Sequence, residues 1–164
     1  MYLIFFILII IMNNNDANTI DRIAAFSPLP LRIITGIAFI MHGLPKLSGL
    51  DKTQGFFGHL GLPPELALPI ALLEVIGGIV LLLGIFTRIA SILFIIEMAG
   101  VILVAKITKG FVGGYELELL LMVISMSLLI SGPGRISIER DILKREIFPK
   151  IKYYRKERKT ETTY

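Results

Sequence analysis

Four long apolar runs constrain this chain more than any other feature of its sequence. They cover residues 29–47, 66–86, 89–105 and 115–131, and each is 17 to 21 residues long. An α-helix needs about 20 apolar residues to cross the roughly 30 Å hydrocarbon core of a bilayer. The runs lack the alternating pattern of a barrel strand, and lipid cannot satisfy open backbone groups. The sequence therefore predicts an all-α membrane protein, a bundle of four transmembrane helices.

The composition excludes several classes of protein. The chain is 54% hydrophobic and 18% charged, with a mean hydropathy of +0.76, whereas an average soluble domain is about 45–50% apolar and about 25% charged. Soluble enzymes, nucleic-acid binders and disordered linkers do not have this balance. The net charge of +4 lies mostly in a tail beside the last span, where anionic lipid is the natural partner. We expect contact with the lipid bilayer and none with nucleic acid.

Cysteine is absent from the chain. No disulfide, iron–sulfur cluster or zinc–thiolate site can therefore form from this chain alone. Any redox chemistry would need a borrowed cofactor or a partner protein, and we expect no covalently bound cofactor.

The spans divide the chain into three segments. Residues 1–27 open with twelve apolar residues, which is short for a span; they are either a mis-annotated start, with Met12 as the true one, or an interfacial helix. Residues 28–134 are the predicted transmembrane domain, and residues 135–164 are a basic tail. Thirteen lysines and arginines lie on the side of the termini and four on the other side. The positive-inside rule then places both termini in the cytoplasm.

The connections between the spans differ in length. Residues 48–65 are rich in glycine and are predicted to form a loop, and residues 106–114 form a second connection on the same side. Thr87 and Arg88 are predicted to be a tight turn, which makes the second and third helices antiparallel neighbours. Gly132-Pro133-Gly134 is expected to end the fourth helix.

Charged or titratable side chains within the spans are the candidate functional residues. Each charge at the bilayer centre costs about 2.5–3.5 kcal/mol on insertion scales, so such residues usually face the bundle interior with a partner. Most of the set falls in the half of the bundle away from the termini. The candidates for a ligand or proton site are His42, Lys46, Glu74, Glu97 and Glu116.

Helical periodicity places the acidic residues beside small residues, which mark helix–helix contact in membranes. The predicted packing residues are Gly36, Gly43, Gly77, Gly78, Gly84 and Gly100. On the fourth helix, Glu116 and Glu118 lie about 200° apart at about 100° per residue. Both cannot face one core, and we expect Glu116 to point inward and Glu118 to lie near the headgroups or a neighbouring subunit.

Two interpretations of the polar set stay open. Lys46 could pair with Glu74 or Glu116 in an ion pair that only fixes helix packing, or the same residues could form a ligand or proton site. A haem on His42 is disfavoured because a second strong axial ligand is missing. A metal site built from His42, Glu74 and Glu97 is chemically possible, but no ligand spacing supports it, and we predict no metal.

The order and spacing of several short motifs resemble the DoxX family over about residues 28–140. The motifs are His42-Gly43 with Lys46, Glu74, Gly77-Gly78, Gly84, Thr87-Arg88, Gly113-Gly114-Tyr115-Glu116 and Gly132-Pro133-Gly134. The chain departs from the pattern at Ile138-Glu139-Arg140, where family members often carry an aspartate. The resemblance implies a four-helix integral membrane protein related to the small DoxD-type subunit of thiosulfate:quinone oxidoreductase.

The function expected from this resemblance is that of a subunit or accessory of a quinone-linked membrane oxidoreductase, with a sulfur compound such as thiosulfate as donor. His42 would bind or exchange protons with a quinone oxygen, Glu74 would tune it, and Lys46 with Glu116 would hold helices one and four together. A redox partner subunit or a homo-oligomer is expected, in a prokaryotic plasma membrane. The alternatives are a non-catalytic scaffold or assembly factor and, less favoured, a small-molecule transporter.

Overall fold

A computed structural model of the chain describes residues 25–134 and 137–138. The predicted N-terminal anchor or mis-annotated start, and nearly all of the basic tail, lie outside these residues. The described part contains five α-helices and no strand, which confirms the all-α prediction. The helices are α1 (Pro28–Ser48), α2 (Leu50–His59), α3 (Ala67–Leu83), α4 (Thr87–Val101) and α5 (Glu116–Ser131).

Four helical segments in the described part are long and apolar enough to cross a membrane. They contain 20 to 23 residues, and their mean hydropathy is 1.2 to 2.6. The second segment includes a 3₁₀ turn before α3, and the third continues beyond α4 through a π-helical and a 3₁₀ turn. The segments are Pro28–Ser48, Pro64–Leu83, Thr87–Lys109 and Phe111–Ser131. Their outward surfaces are covered with large apolar side chains such as Met41 and Ile96, as expected of a surface solvated by lipid.

The connection predicted as a glycine-rich loop over residues 48–65 is wrong in part, because it contains helix α2. Glycine lowers helix propensity by about 1 kcal/mol per residue, but two local features oppose this. Asp51 lies in the first turn of α2, where it complements the helix dipole. Phe57 is buried against the neighbouring elements, and such tertiary packing supplies most of the stability of a short helix.

The turn between α3 and α4 also begins earlier than predicted. Gly84 has a φ of 67° and ends α3, and the amide of Ile85 donates to the carbonyl of Val80 at 3.0 Å. This is the Schellman pattern that a left-handed glycine allows. Thr87 and Arg88, predicted as the turn, are instead the first residues of α4. The prediction that these two spans are antiparallel neighbours is confirmed.

The spans associate as two close pairs, α1 with α3 and α4 with α5, which we term the first and second hairpins. Glycine sets the distance within the first hairpin. A Cβ added at Gly36 would lie 2.8 Å from the Gly78 carbonyl oxygen, and one added at Gly78 would lie 2.7 Å from the Gly36 oxygen. The two backbones therefore approach more closely than any side chain permits.

The predicted packing role of Gly100 is not met. Gly100 is exposed, and a Cβ added there would have no atom within 4 Å. Its helix is turned so that Phe94 and Glu97, rather than Gly100, face the interior.

The two hairpins meet at a pair of stacked rings. Phe39 of α1 and Phe94 of α4 lie parallel, with ring centroids 3.5 Å apart and an interplanar angle of 5°. The Phe94 ring also packs directly against Gly77, where an added Cβ would lie 2.7 Å from the ring. The end of the bundle with residues 48–66 and 106–115 is termed the outer end, and the end with residues 84–87 and 132–134 the inner end.

Candidate functional site

An ion pair joins α1 and α3 in the outer half of the bundle. The Nζ of Lys46 donates to the Oε1 of Glu74 at 2.7 Å, and the Glu74 side chain is only 3% exposed. Gly43 makes this contact possible, since a Cβ added there would lie 2.9 Å from the Glu74 Cβ. Of the two partners left open by the sequence, Lys46 therefore takes Glu74, and the expected pair with Glu116 is wrong.

Glu97 of α4 faces this ion pair from the second hairpin. The contact of Gly77 with Phe94 sets the register of α3 against α4. Glu74 precedes Gly77 by three residues and Glu97 follows Phe94 by three, so in an antiparallel pair the two carboxyl groups meet one turn further out. Both Lys46 and Glu74 are close enough to act electrostatically on Glu97.

The carboxyl oxygens of this cluster are largely unpaired. Glu97 is 8% exposed, and no donor group bonds to either of its oxygens. Its carboxyl group lies within hydrogen-bonding reach of the Glu74 carboxyl group, so one proton could be shared between them. No donor group bonds to the Oε2 of Glu74 either. Buried polar atoms without hydrogen bonds are costly in an apolar medium, so the cluster retains capacity for water, a proton or a polar ligand.

His42 is not brought into the cluster. It lies one turn from Lys46 along α1, and its side chain is exposed on the surface of the bundle. Gly43 turns towards α3 and Phe39 towards α4, which leaves His42 at the edge of the inward face. His42 therefore faces the surroundings of the bundle in its outer half.

The expected orientation of the fourth transmembrane helix is wrong. Glu116 is exposed, whereas Glu118 is 8% exposed and accepts a hydrogen bond from the Nζ of Lys106 at 2.5 Å. Leu121, Ser125 and Leu128 are buried on the face of α5 that Glu118 shares. Their packing against the other helices fixes the rotation of α5, which the two glutamates alone could not reveal.

Arg32 is a buried residue that was not among the predicted site residues; it is one of the thirteen basic residues on the side of the termini. The residue is 2% exposed, and its guanidinium donates to the carbonyl oxygens of Leu81 (2.9 Å), Leu82 (3.0 Å) and Pro133 (2.5 Å). Two of these bonds go to carbonyls in the last turn of α3, where few backbone partners remain; the Leu81 carbonyl also accepts from the Gly84 amide at 3.0 Å. The signal that could have identified Arg32 is its spacing of seven and fourteen residues from Phe39 and Lys46, which places all three on one helix face.

Two further polar groups were missed because hydroxyls carry little signal in an apolar run. The side chains of Thr35 and Ser125 are fully buried, and neither oxygen has a partner among the described residues. Hydroxyls in transmembrane helices usually bond to the preceding turn or to a neighbouring helix. Ser91 does so, donating to the Thr87 carbonyl at 2.8 Å.

The arrangement as a whole can exchange protons and hydrogen-bond a polar ligand. It contains two adjacent carboxyl groups, one ammonium group and unpaired oxygens at the contact between the hairpins. Within the described residues no group of three histidines, cysteines, aspartates or glutamates is arranged to hold a metal ion.

Comparison with known proteins identifies the family. The DoxX family model matches residues 27–107. A Bacillus subtilis (strain 168) protein named "Putative oxidoreductase CatD" is 39% identical over 116 residues, which cover 71% of this chain and 87% of the relative. "Uncharacterized membrane protein Rv3486" of Mycobacterium tuberculosis (strain ATCC 25618 / H37Rv) is 32% identical over 137 residues, 73% of this chain and 83% of the relative.

"Inner membrane protein YphA" of Escherichia coli (strain K12) is 34% identical over 119 residues, which cover 66% of this chain and 85% of the relative. No solved structure matches the chain. The matched region includes α1, α3 and α4 and thus all three members of the Lys46, Glu74 and Glu97 cluster. With its four membrane-spanning helices, the chain belongs to the DoxX family of multi-pass membrane proteins.

Proposed function

We propose that this protein is a membrane subunit or accessory of a quinone-linked oxidoreductase and that its polar cluster exchanges protons with the quinone. The observation that carries the proposal is the cluster of Lys46, Glu74 and Glu97, in which two carboxyl groups lie within hydrogen-bonding reach of each other and no donor bonds to three of their four oxygens. The printed name of the Bacillus subtilis relative, an oxidoreductase, agrees with this class of reaction.

The chemistry of a quinone matches these groups. Reduction adds two electrons and two protons, one proton to each ring oxygen, and gives a hydroquinone. Carboxyl groups in a desolvated site act as proton donors and acceptors, so Glu74 and Glu97 would supply the protons. The Lys46 ammonium would offset negative charge that develops beside them.

The electrons have to come from elsewhere. The chain contains no cysteine, so a partner subunit would deliver electrons from the donor. A small sulfur compound such as thiosulfate is the donor that the family resemblance implies. The complex would lie in a prokaryotic plasma membrane, as the printed name of the Escherichia coli relative supports.

His42 would have a different role from the cluster. Its exposure in the outer half of the bundle makes it accessible to a quinone that diffuses within the lipid. Its imidazole can donate or accept one hydrogen bond. We assign it to first contact with the quinone, and we assign proton exchange to the buried carboxyl groups.

Quinone content after purification in mild detergent tests the proposal. The wild-type protein should carry bound quinone, and Glu97→Gln should reduce the content or weaken binding by a few-fold to tenfold, because one hydrogen bond to a neutral ligand contributes about 0.5–1.5 kcal/mol. Glu116→Gln is the matched control, since Glu116 is an exposed glutamate outside the cluster. A quinone content of the wild type no higher than background would contradict the proposal. So would the same quinone content in the wild type, Glu97→Gln and Glu116→Gln.

A non-catalytic scaffold is the second candidate, and one observation favours it. Each hairpin carries one lysine–glutamate pair in its outer half, Lys46 with Glu74 and Lys106 with Glu118. Such pairs could serve only to hold each hairpin together. In that case Glu97→Gln should leave quinone content unchanged, while Lys46→Met lowers the melting temperature.

A further inference from the structure

Glu74, Glu97 and Ser125 each have a buried oxygen to which no donor bonds, and they lie at a similar depth where the two hairpins meet. Lys106 contacts Glu118 at the outer end, and Arg88 contacts Gly132 at the inner end, so α4 and α5 run antiparallel. Glu97 lies nine residues inward of Lys106, about 13 Å, and Ser125 lies seven residues inward of Glu118, about 10 Å. The Glu97 carboxyl and the Ser125 hydroxyl are therefore within about one helical turn of each other in depth.

These oxygens are buried in the bundle. Ser125 is 0% and Glu97 is 8% exposed. The Ser125 hydroxyl has no partner among the described residues, and no donor bonds to the Glu97 oxygens, which lie within reach of the Glu74 carboxyl group. The Oε2 atom of Glu74 is also buried, and no donor bonds to it. Buried waters typically make about three hydrogen bonds to otherwise unsatisfied polar groups, and three residues that carry such groups, from α3, α4 and α5, lie at this depth.

Towards the inner end, stacked rings, apolar side chains and a hydrogen-bonded arginine close the contact between the hairpins, and the fully buried hydroxyls of Thr35 and Thr87 have no partner among the described residues. The stacked rings of Phe39 and Phe94 fill the contact between the hairpins. Further inward, Leu81 is fully buried, and Arg32 bonds to the ends of both hairpins through the Leu82 and Pro133 carbonyls. On the outer side, by contrast, the side chain of Lys46 is 29% exposed.

We propose that Glu74, Glu97 and Ser125 form a hydrated proton site that is connected to the outer end of the bundle and sealed from the inner end by Phe39 and Phe94. A proton that a carboxyl group gives to a ligand is replaced by one taken from water on the outer side. No electron passes through these residues. The inference rests on the proposed function for its role, because it specifies the side from which the protons come.

The absence of cysteine allows a direct test with single-cysteine variants. Ser125→Cys changes the side chain little, and the probe is a charged, membrane-impermeant methanethiosulfonate. It is added to intact cells or to inverted vesicles. The reagent on the outer side should label this variant at least tenfold faster than the reagent on the inner side.

Ser91→Cys is the matched control. Ser91 is also a fully buried serine, but it lies three residues inward of Phe94 and bonds to Thr87. It should resist labelling from both sides. Adding Phe39→Ala removes half of the ring stack, and Ser91→Cys in that background should then be labelled from the outer side.

Labelling of Ser125→Cys mainly from the inner side would overturn the proposal. So would no labelling from either side in folded protein that labels fully after denaturation. If Ser125→Cys fails to fold, Glu97→Cys replaces it in the same assay. Labelling does not require quinone, so a wild-type protein without quinone and an outer-side reaction at Ser125→Cys would refute the proposed function alone.

Discussion

The ion pair of Lys46 and Glu74 gives the sharpest test of the structure. Lys46→Met keeps the length of the side chain and removes its charge, which leaves the Glu74 carboxylate, 3% exposed, without its partner. We expect the free energy of unfolding to fall by about 3 kcal/mol. The expected change can be worked out from the geometry of the pair.

The Nζ and Oε1 atoms lie 2.7 Å apart, which corresponds to an attraction of about 6 kcal/mol at an effective dielectric constant of about 20. Desolvation of both groups offsets much of this, and removing one partner of a buried pair typically costs about 3–5 kcal/mol. The Lys46 side chain keeps 29% of its surface exposed, so the lower end of that range applies.

A double-mutant cycle separates this pair from other effects of the substitution. Lys46→Met and Glu74→Gln, measured singly and together by reversible unfolding in mixed micelles, should show a coupling of about 2 kcal/mol. Glu116→Gln serves as the matched control because Glu116 is exposed. Its coupling to Lys46→Met should stay within about 0.5 kcal/mol.

The reasoning would be refuted by a coupling below about 0.5 kcal/mol between Lys46 and Glu74. Strong coupling between Lys46 and Glu116 would instead restore the arrangement predicted from sequence, with helices one and four held together. Either result would mean that α1 is rotated differently about its axis.

Three other predictions concern packing, the inner end and topology. Gly78→Ala should destabilise the protein by about 1–3 kcal/mol, because the added Cβ would lie 2.7 Å from a backbone oxygen. Gly100→Ala should be neutral or stabilising, because the space around Gly100 is open. Melting temperatures of the two variants test this difference. Arg32→Lys should cost at least one charged hydrogen bond, about 1.5–3 kcal/mol, in the same unfolding assay. Reporter fusions at Lys52 and Tyr164 should read outside and cytoplasm respectively, and the reverse pattern would contradict the orientation.

The polar site shows where sequence reasoning reached its limit. Spacing placed Glu74 beside Gly77 and Gly78 and so identified a contact face on the second span. It left two partners open for Lys46, because both acidic candidates lie at a suitable depth. Only the packing of α1 against α3 through Gly43 brought Glu74, rather than Glu116, within reach.

The choice between Glu116 and Glu118 failed for a similar reason. The fourth span is apolar on all sides, so its sequence carries little information about which face is inward. Leu121, Ser125 and Leu128 are buried by contacts with other helices, and those contacts rotate Glu118 to the interior. The small hydroxyl of Ser125 gave no signal at all until its burial was known.

The sequence by itself determined the number of spans, their approximate limits, the all-α class and the family. These follow from the length of the apolar runs and the order of the motifs, and both can be read directly along the linear sequence. The tertiary structure decided which side chains meet, that α2 forms in the first connection, and that Arg32 binds the ends of α3 and α5. The reason is that lipid and a neighbouring helix are almost equally apolar, so hydropathy cannot fix the rotation of a helix about its axis. That rotation depends on close packing between surfaces that only the folded bundle brings together.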